Sequence, residues 1–529
     1  MPQATLLSAT LGEEGRTEPP LGPLYIASAL EGVGWEVDFR DYQLFEGADA
    51  FDPNGILHRL EGHQQVLMIS CLVDMLPVVI AAAEIIKSTR PDTQIILGGP
   101  GPTAAAGQFL AAFPQLDAVV MGEGEETIRE WAIAYRNANN TRKPIPGMVH
   151  RKDGCIVDGG QRNRMQDLQN AVPPAYHLLD WSHYSAGRII TTRGCPYQCS
   201  FCDVAPLWGR KTVYRDIASV VEEILLLRDR YGTVAVSIAD DTFVLNRDRV
   251  RAFCNLMLER RLDVEWGCFG RINLMSEELI SLMAKAGCRV IFYGIDSGSP
   301  RVLKRTFKEL AVDSILPTLE ISARYFDRIE ASFIWGYPFE SHEDFLLTLD
   351  LAAKASRFAP KVNVQLHMLD PLPSSPICQE FKETLDKPEQ EDSPWLLLPA
   401  LMLDERASTV RRVIQTAPHL FPAFFCFPTP SKIQKREKLR EVLTALHVMI
   451  GRAVIDERVY ALSASENREL EQELLNQSGT PSEHIGAGLA IGLFKRMRQK
   501  KARHAGQTPE GVRIPGLVRQ DNDARLGVL

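Results

Sequence analysis

Cys195, Cys199 and Cys202 stand in one short run, Thr191-Thr-Arg-Gly-Cys-Pro-Tyr-Gln-Cys-Ser-Phe-Cys-Asp203. Thiolates at C-x3-C-x2-C spacing can hold three irons of a cubane cluster and leave the fourth iron without a protein ligand. Iron–sulfur clusters are usually held by four cysteines, so a loop with one ligand fewer implies a position open to chemistry. A zinc knuckle is the bland alternative. It needs four ligands, usually in paired spacing, and no second cysteine or histidine pair stands near this run.

The elements that must position this loop are a series of strand–helix units. Apolar runs recur at 188–192, 233–239, 264–269, 289–295, 329–335 and 362–369, with helical patterns at 215–230, 248–261, 277–286, 312–325 and 342–356. Where a sixth helix would have to start, the prolines of 371–376 break the pattern. Six such units make a partial (βα) barrel, whose chemistry gathers at the carboxyl ends of its strands. After the strand that leads into the cysteines, the strand ends read Asp240-Asp-Thr-Phe243, Gly270-Arg-Ile-Asn273, Gly294-Ile-Asp-Ser-Gly-Ser-Pro300, Gly336-Tyr-Pro338 and Asp370-Pro-Leu-Pro373. Asp240 and Asp241 either line a site or cap the next helix, since Asp is a preferred N-cap. Arg271 either faces a ligand or pairs with a surface carboxylate. The scattered cysteines Cys254, Cys268, Cys288 and Cys378 read as small core residues.

Ahead of the barrel, residues 1–140 alternate strands at 4–10, 36–41, 66–70, 94–97 and 117–121 with helices at 21–32, 77–87 and 125–135. This alternation argues a doubly wound parallel sheet with its ligand at the strands' carboxyl ends. Those ends carry Ser70-Cys-Leu-Val-Asp74, Gly98-Gly-Pro-Gly-Pro102 and Gly122-Glu-Gly-Glu125. Glycines there let backbone approach a ligand. No G-x-G-x-x-G opens the first helix, so the turns are not a dinucleotide fingerprint.

Residues 141–185 read as a linker with a small hairpin, 385–485 as a helical C-terminal region, and 486–529 as a polar, flexible tail. The stretch His419-Leu-Phe-Pro-Ala-Phe-Phe-Cys-Phe-Pro428 either packs as core or walls the open side of the barrel. In 529 residues, 45% hydrophobic and 24% charged content is ordinary for a globular chain, and the net charge of −8 leaves no basic footprint for nucleic acid. The apolar stretch 66–86 contains Asp74, Pro77 and Glu84, which argues against a membrane span. Met-Pro-Gln-Ala-Thr lacks the basic start of a signal peptide. Ten cysteines without a paired framework suit a reducing cytoplasm.

The cysteine loop resembles the signature of the radical S-adenosylmethionine (SAM) enzymes, and the strand ends resemble that family's SAM-contacting motifs in order. The three glycine turns resemble the cobalamin-binding domain that precedes the radical core in one large subfamily. The resemblance implies an α/β chain: a Rossmann-like cobalamin-binding domain (1–140), a (βα)6 partial TIM barrel (186–384) and a helical C-terminal region. It implies a 4Fe–4S cluster on Cys195, Cys199 and Cys202, with SAM near Phe201, Asp240, Asp241, Arg271, Gly294, Asp296, Ser297 and Gly336. Cobalamin is implied near Ser70, Cys71, Leu72, Gly98, Gly99, Pro100, Gly122, Glu123, Gly124 and Glu125.

Two departures stand out. Asp296 takes the place of the family's usual Glu, and Pro373-Ser-Ser-Pro376 replaces Pro-Gly-Thr-Pro. The D-x-H-x-x-G element is absent from the first loop, as in much of the subfamily, so no histidine is implied beneath cobalt. The resemblance implies radical methylation of an unactivated carbon of a peptide or natural product, with ring formation or oxidative rearrangement as alternatives. An external one-electron reductant of flavodoxin or ferredoxin type is the implied partner, with neither nucleic acid nor membrane. An electron carrier would need a fourth cysteine and no barrel. A cobalamin carrier would not need the cysteine loop.

Overall fold

The computed structural model describes residues 1–12, 17–137, 144–168, 172–389 and 405–442. The N-terminal sheet contains β1 (Gln3–Ala9), β2 (Glu36–Asp41), β3 (Val66–Cys71), β4 (Gln94–Gly98), β5 (Ala118–Val120), β6 (Met148–Lys152) and β7 (Cys155–Asp158), in the order β2-β1-β3-β4-β5-β6-β7. Strands β1 to β5 pair in parallel. β1 and β3 are buried on both faces, which is why each reads as a nearly unbroken apolar run. The apolar stretch 66–86 resolves into β3 and the helix Leu76–Thr89. Among the described residues no helix is long and apolar enough to cross a membrane.

The hairpin expected in the linker is β6–β7, and it extends the same sheet by pairing antiparallel with β5, Val119 opposite Val149. The sheet therefore continues past residue 140 to Asp158.

The second sheet is the barrel: β8 (Gly187–Ile189), β11 (Ala235–Ile238), β12 (Glu265–Gly270), β13 (Cys288–Asp296), β14 (Arg328–Trp335) and β15 (Val362–Met368), in parallel sequential order. Four of its helices start at side-chain caps: Asp216, Asn246, Ser276 and Ser341 each accept a backbone N–H of the first turn. The helix after β11 is capped by Asn246, so Asp240 and Asp241 do not serve as its cap. After β15 a short helix, Pro376–Phe381, does form, with Pro376 in its first turn, where a missing N–H costs nothing.

The expected first barrel strand is divided. β8 stops at Ile189, and Thr192–Arg193 (β9) leaves the sheet to pair with Val213–Tyr214 (β10). The cause is Asp240, whose carboxylate accepts Thr191 N (2.6 Å) and Thr192 N (2.9 Å) and draws the chain out of register.

The described part of the C-terminal region, 405–442, lies against both domains. Leu420, Phe421 and Phe424 are buried in the core of the first sheet, where Phe421 meets Phe109 and Phe113 edge-on. Cys426 then bridges Asp386, and Phe427 packs with Tyr337 and Ile377 beside the barrel loops. The aromatic stretch is core, shared between the two domains. The tail 486–529 and much of 385–485 lie outside the described residues.

Candidate active site

The cysteine loop leaves β9 through Gly194, whose φ of +90° and close neighbours exclude a side chain: a Cβ would stand 2.9 Å from Lys211 O and 3.0 Å from Gly209 O. All ten cysteines are free thiols, and the three of the loop are half-buried. Each of their sulfurs meets a polar group. Val204 N donates to Cys202 Sγ at 3.4 Å, Arg271 Nη1 donates to Cys199 Sγ at 3.5 Å, and Thr242 Oγ1 lies 3.9 Å from Cys195 Sγ. Burial raises the Cys202 thiol to about 12 and raises Cys195 as well, so a metal binding these two must displace their protons. Among the described residues no three His, Cys, Asp or Glu converge on one ion.

Around the loop stands a charged layer. Arg271 lies over the Tyr197 ring at 3.6 Å, and its Nη2 donates to Lys308 O. Lys308 Nζ in turn pairs with Asp296 Oδ2 at 2.5 Å, both side chains buried. A Cβ on Gly294 would come within 3.1 Å of that ammonium. Phe201 faces the same group, its ring 5.8 Å from Lys308 Nζ and edge-on to Tyr337. Asp296 sits at φ +68°, a strained conformation for a residue with a side chain, held by the pairing shift at the end of β13. Gly336 (φ +88°) directs its N–H to Glu340 Oε2 at 2.9 Å.

Buried polar atoms without a protein partner ring this space: Ser200 Oγ, Arg271 Nε, the Tyr337 hydroxyl and Asp370 Oδ1. Such atoms are rare and point to a missing polar ligand. The donor set and these unpaired atoms fit a cluster with SAM beside it.

Two expected contacts are engaged elsewhere. The Asp240 carboxylate is fully taken up by Thr191 and Thr192, and Ser297 Oγ lies against Thr348 Oγ1 at 3.0 Å, turned toward the helix His342–Ser356. Asp241 is raised to about 6, first by burial and then by the charge of Asp240. Lys308, Tyr197 and Thr242 were not anticipated from the sequence. Lys308 lies outside any strand end, and the only signal near it is structural, the positive φ of Phe307 and Glu309 on either side.

At the first sheet, the turn after β4 presses on the end of β3. A Cβ on Gly99 would meet Cys71 O at 2.7 Å and one on Gly101 would meet Leu72 O at 2.7 Å. Ser70 Oγ is 3.1 Å from the same Gly99 position, and Pro100 opens the short helix Pro100–Thr103. Cys71 is buried, with its thiol pushed up by burial. The face above is open: Gly122 has nothing within 4 Å of a built Cβ, Gly98 only Val120, and Leu72 is 45% exposed. Bare backbone with an exposed apolar side chain fits a broad flat ring. Gly124 packs on Ile26. Glu123 and Glu125 do not face this opening freely, because both bind Arg193, with Nη1–Oε1 at 3.2 Å and Nη2–Oε1 at 2.6 Å. Glu123 also accepts Met165 N from the linker. The third turn is thus tied to the strand that enters the cluster loop.

A cleft of about 510 Å³ adjoins this junction, lined by Asn163, Arg164, Gln166, Arg210 and Lys211 among others. Its wall touches Gly194, through the Lys211 and Gly209 carbonyls and Arg164 Nη1.

A B12 binding domain model matches residues 8–132, and a Radical SAM superfamily model matches residues 189–352. Fold, site and matches together define a radical SAM enzyme. Carrying both domains, the chain belongs to the cobalamin-dependent branch of that superfamily, and its cofactors are a 4Fe–4S cluster, SAM and cobalamin. It is 27% identical over 354 residues to an uncharacterized methyltransferase of Pyrococcus horikoshii, covering 64% of this chain and 74% of that protein. Against the anaerobic magnesium-protoporphyrin IX monomethyl ester cyclase of Cereibacter sphaeroides it is 26% identical over 385 residues, 70% of this chain and 61% of the cyclase. The solved structure of the methyltransferase TsrM from Kitasatospora setae, with cobalamin and a [4Fe-4S] cluster bound, shares the fold at TM-score 0.62 and 17% identity, over 96% of this chain and 100% of that one.

Proposed function

We propose that this chain methylates an unactivated carbon of a peptide or other natural-product substrate. The observation that carries the reading is the Arg193 junction, which ties the third turn of the cobalamin-binding sheet to the strand entering the cluster loop. Two cofactor sites joined so tightly suit a substrate that meets both.

When bound, the cluster with SAM supplies a carbon-centred radical that can take hydrogen from carbon no side-chain base could deprotonate, and cobalamin supplies the methyl group. The protein's own share is positioning. Cys195, Cys199 and Cys202 hold the cluster, and Asp240 sets the strand ahead of them. Arg271, Lys308, Asp296, Phe201, Gly294 and Gly336 surround the SAM position, and Asp241 borders it. Backbone at Ser70, Leu72, Gly98, Gly99, Pro100, Gly122 and Gly124 approaches the corrin. The Arg164, Arg210 and Lys211 cleft beside Gly194 offers a cationic landing for an acidic one-electron donor of flavodoxin or ferredoxin type. Free thiols throughout suit the cytoplasm.

The test is the product ratio with the true substrate. Methylation gives S-adenosylhomocysteine and 5′-deoxyadenosine in about a 1:1 ratio, with labelled methyl carbon from SAM in the product. Deoxyadenosine without label transfer would overturn methylation. It would favour the second reading, a ring-forming cyclase, which the similarity to the Cereibacter sphaeroides enzyme supports.

A further inference from the structure

Strand alternation divides the barrel residues cleanly. Trp266, Cys268, Ile291, Tyr293, Ile329, Ala331, Phe333, Val362 and Val364 all belong to the core beneath the helices. Their neighbours in sequence therefore face the inside of the barrel. In register across four strands, Phe269 pairs with Phe292, Phe292 with Glu330, and Glu330 with Asn363. The adjoining row toward the strand ends holds Gly294, Ser332 and Gln365, and beyond it Ile334 pairs with His367. At Gly294 the space a side chain would take is filled by Lys308 Nζ and Asp296 Oδ1, a pair that closes this row toward the SAM position.

This interior is not filled like an ordinary barrel core. Phe269 is 41% exposed, and its ring tilts 49° to that of Phe292 at 5.1 Å, so the pair is not closed over. Opposite stands a polar comb. Glu330 accepts Asn363 Nδ2 at 2.6 Å and Gln365 Nε2 at 3.0 Å, while Arg328 holds its other oxygen. A carboxylate can only accept, so both amides must turn their NH2 groups toward it. Gln365 Oε1 is thereby aimed away, 3.5 Å from His367 Nε2. Burial lowers the His367 pKa and keeps the ring neutral. With Nε2–H directed at Gln365, the ring's Nδ1 is left as an acceptor.

We infer that this recess is the substrate's seat, and that it selects a planar ring bearing an N–H or O–H donor: the ring against Phe269, the donor to Gln365 and His367. The inference rests on the proposed reading of the chain as a radical enzyme and adds the chemical class of its substrate. A purely apolar substrate would make no use of His367 Nδ1 or of the second lone pair of Gln365 Oε1.

The experiment uses the full chain reconstituted with cluster and cobalamin, titrated by calorimetry with indole and with 1-methylindole, and repeated on Phe269→Ala and Gln365→Leu. Indole is expected to bind the unmodified enzyme at least tenfold more tightly than 1-methylindole, and each substitution is expected to weaken indole at least tenfold. Gln365→Leu should also erase the preference between the two probes, a readout that general loosening would not produce. Equal affinity for the two probes, or indifference to both substitutions, overturns the recess. Absence of indole binding overturns it too. If in any of these cases the visible bands of cluster and corrin and the cleavage of SAM persist, the enzyme class stands while the substrate class falls.

Discussion

Arg193 Nη2 stands 2.6 Å from Glu125 Oε1, in a junction where the two side chains are only 7% and 16% exposed. The same guanidinium reaches Glu123 and lies 5.1 Å over the Tyr25 ring. Burial works against the charge on Arg193, but the Glu125 carboxylate and its hydrogen bond outweigh it and hold the pKa above the usual value. One residue of β9 thus touches three residues of the cobalamin-binding domain, two positions before Cys195.

Replacing Arg193 by Met leaves two carboxylates buried against each other. Breaking one side of a buried pair costs on the order of 3–5 kcal/mol, so thermal unfolding should shift down measurably. In protein that still folds, SAM cleavage should persist while methyl transfer falls much further. Equal loss of both would argue against a positioning role.

Changing Cys195, Cys199 or Cys202 singly to Ala should remove cluster iron and abolish 5′-deoxyadenosine formation, with the far-ultraviolet circular dichroism intact. A triple variant that keeps about four irons per chain would show that other residues hold the cluster.

Cobalamin should bind without a nitrogen ligand from the protein. Electron paramagnetic resonance of the reduced cobalt form is expected to lack nitrogen splitting from a lower ligand. Imidazole coupling would show that a histidine of the chain reaches cobalt.

Asp370, at the end of β15, has one oxygen without a partner and a carboxyl raised to about 7 by burial. A carboxyl whose pKa is raised on folding binds its proton more tightly in the native state. Its contribution is therefore favourable at low pH and is lost as pH climbs from about 4 toward about 7. Asp370→Asn should flatten that slope and stabilise the apoprotein near pH 8 by an amount on the order of a few kcal/mol, read as a higher unfolding temperature. An unchanged pH profile would place a neutralising partner beside it.

Lys435 and Glu340 form a fully buried pair at 2.9 Å that fastens the C-terminal region to the loop after β14. Lys435 also donates to Glu340 O and Thr429 Oγ1. Lys435→Met should cost about 3–5 kcal/mol and expose the Gly336 turn to limited proteolysis. Resistance equal to the native chain would mean that Phe427 packing suffices.

Much was legible in the chain because its signals are local. Cysteine spacing, the alternation of apolar strands with helical stretches, and glycines at strand ends each depend on neighbours within a few residues. The six barrel strands and the first five strands of the N-terminal sheet accordingly fall within a few residues of expectation, apart from the division at 190–192. Where a local rule misled, a distant group intervened: Asp240 drew Thr191 and Thr192 out of the strand, and Pro376 began a helix that its neighbouring prolines had argued against.

The sequence by itself determined the two α/β domains and the order of the strand ends, and it singled out Cys195, Cys199 and Cys202 as the candidate cluster ligands, because covalent spacing and hydrophobic period carry that information along the chain. Only the tertiary structure decided what each polar side chain does there. Glu123 and Glu125 face Arg193 across about 70 residues, Lys308 meets Asp296 from beyond its strand, and Glu340 meets Lys435 across 95. Burial makes a charge costly unless it finds its opposite. Which opposite it finds is a property of packing in space that no spacing along the chain records.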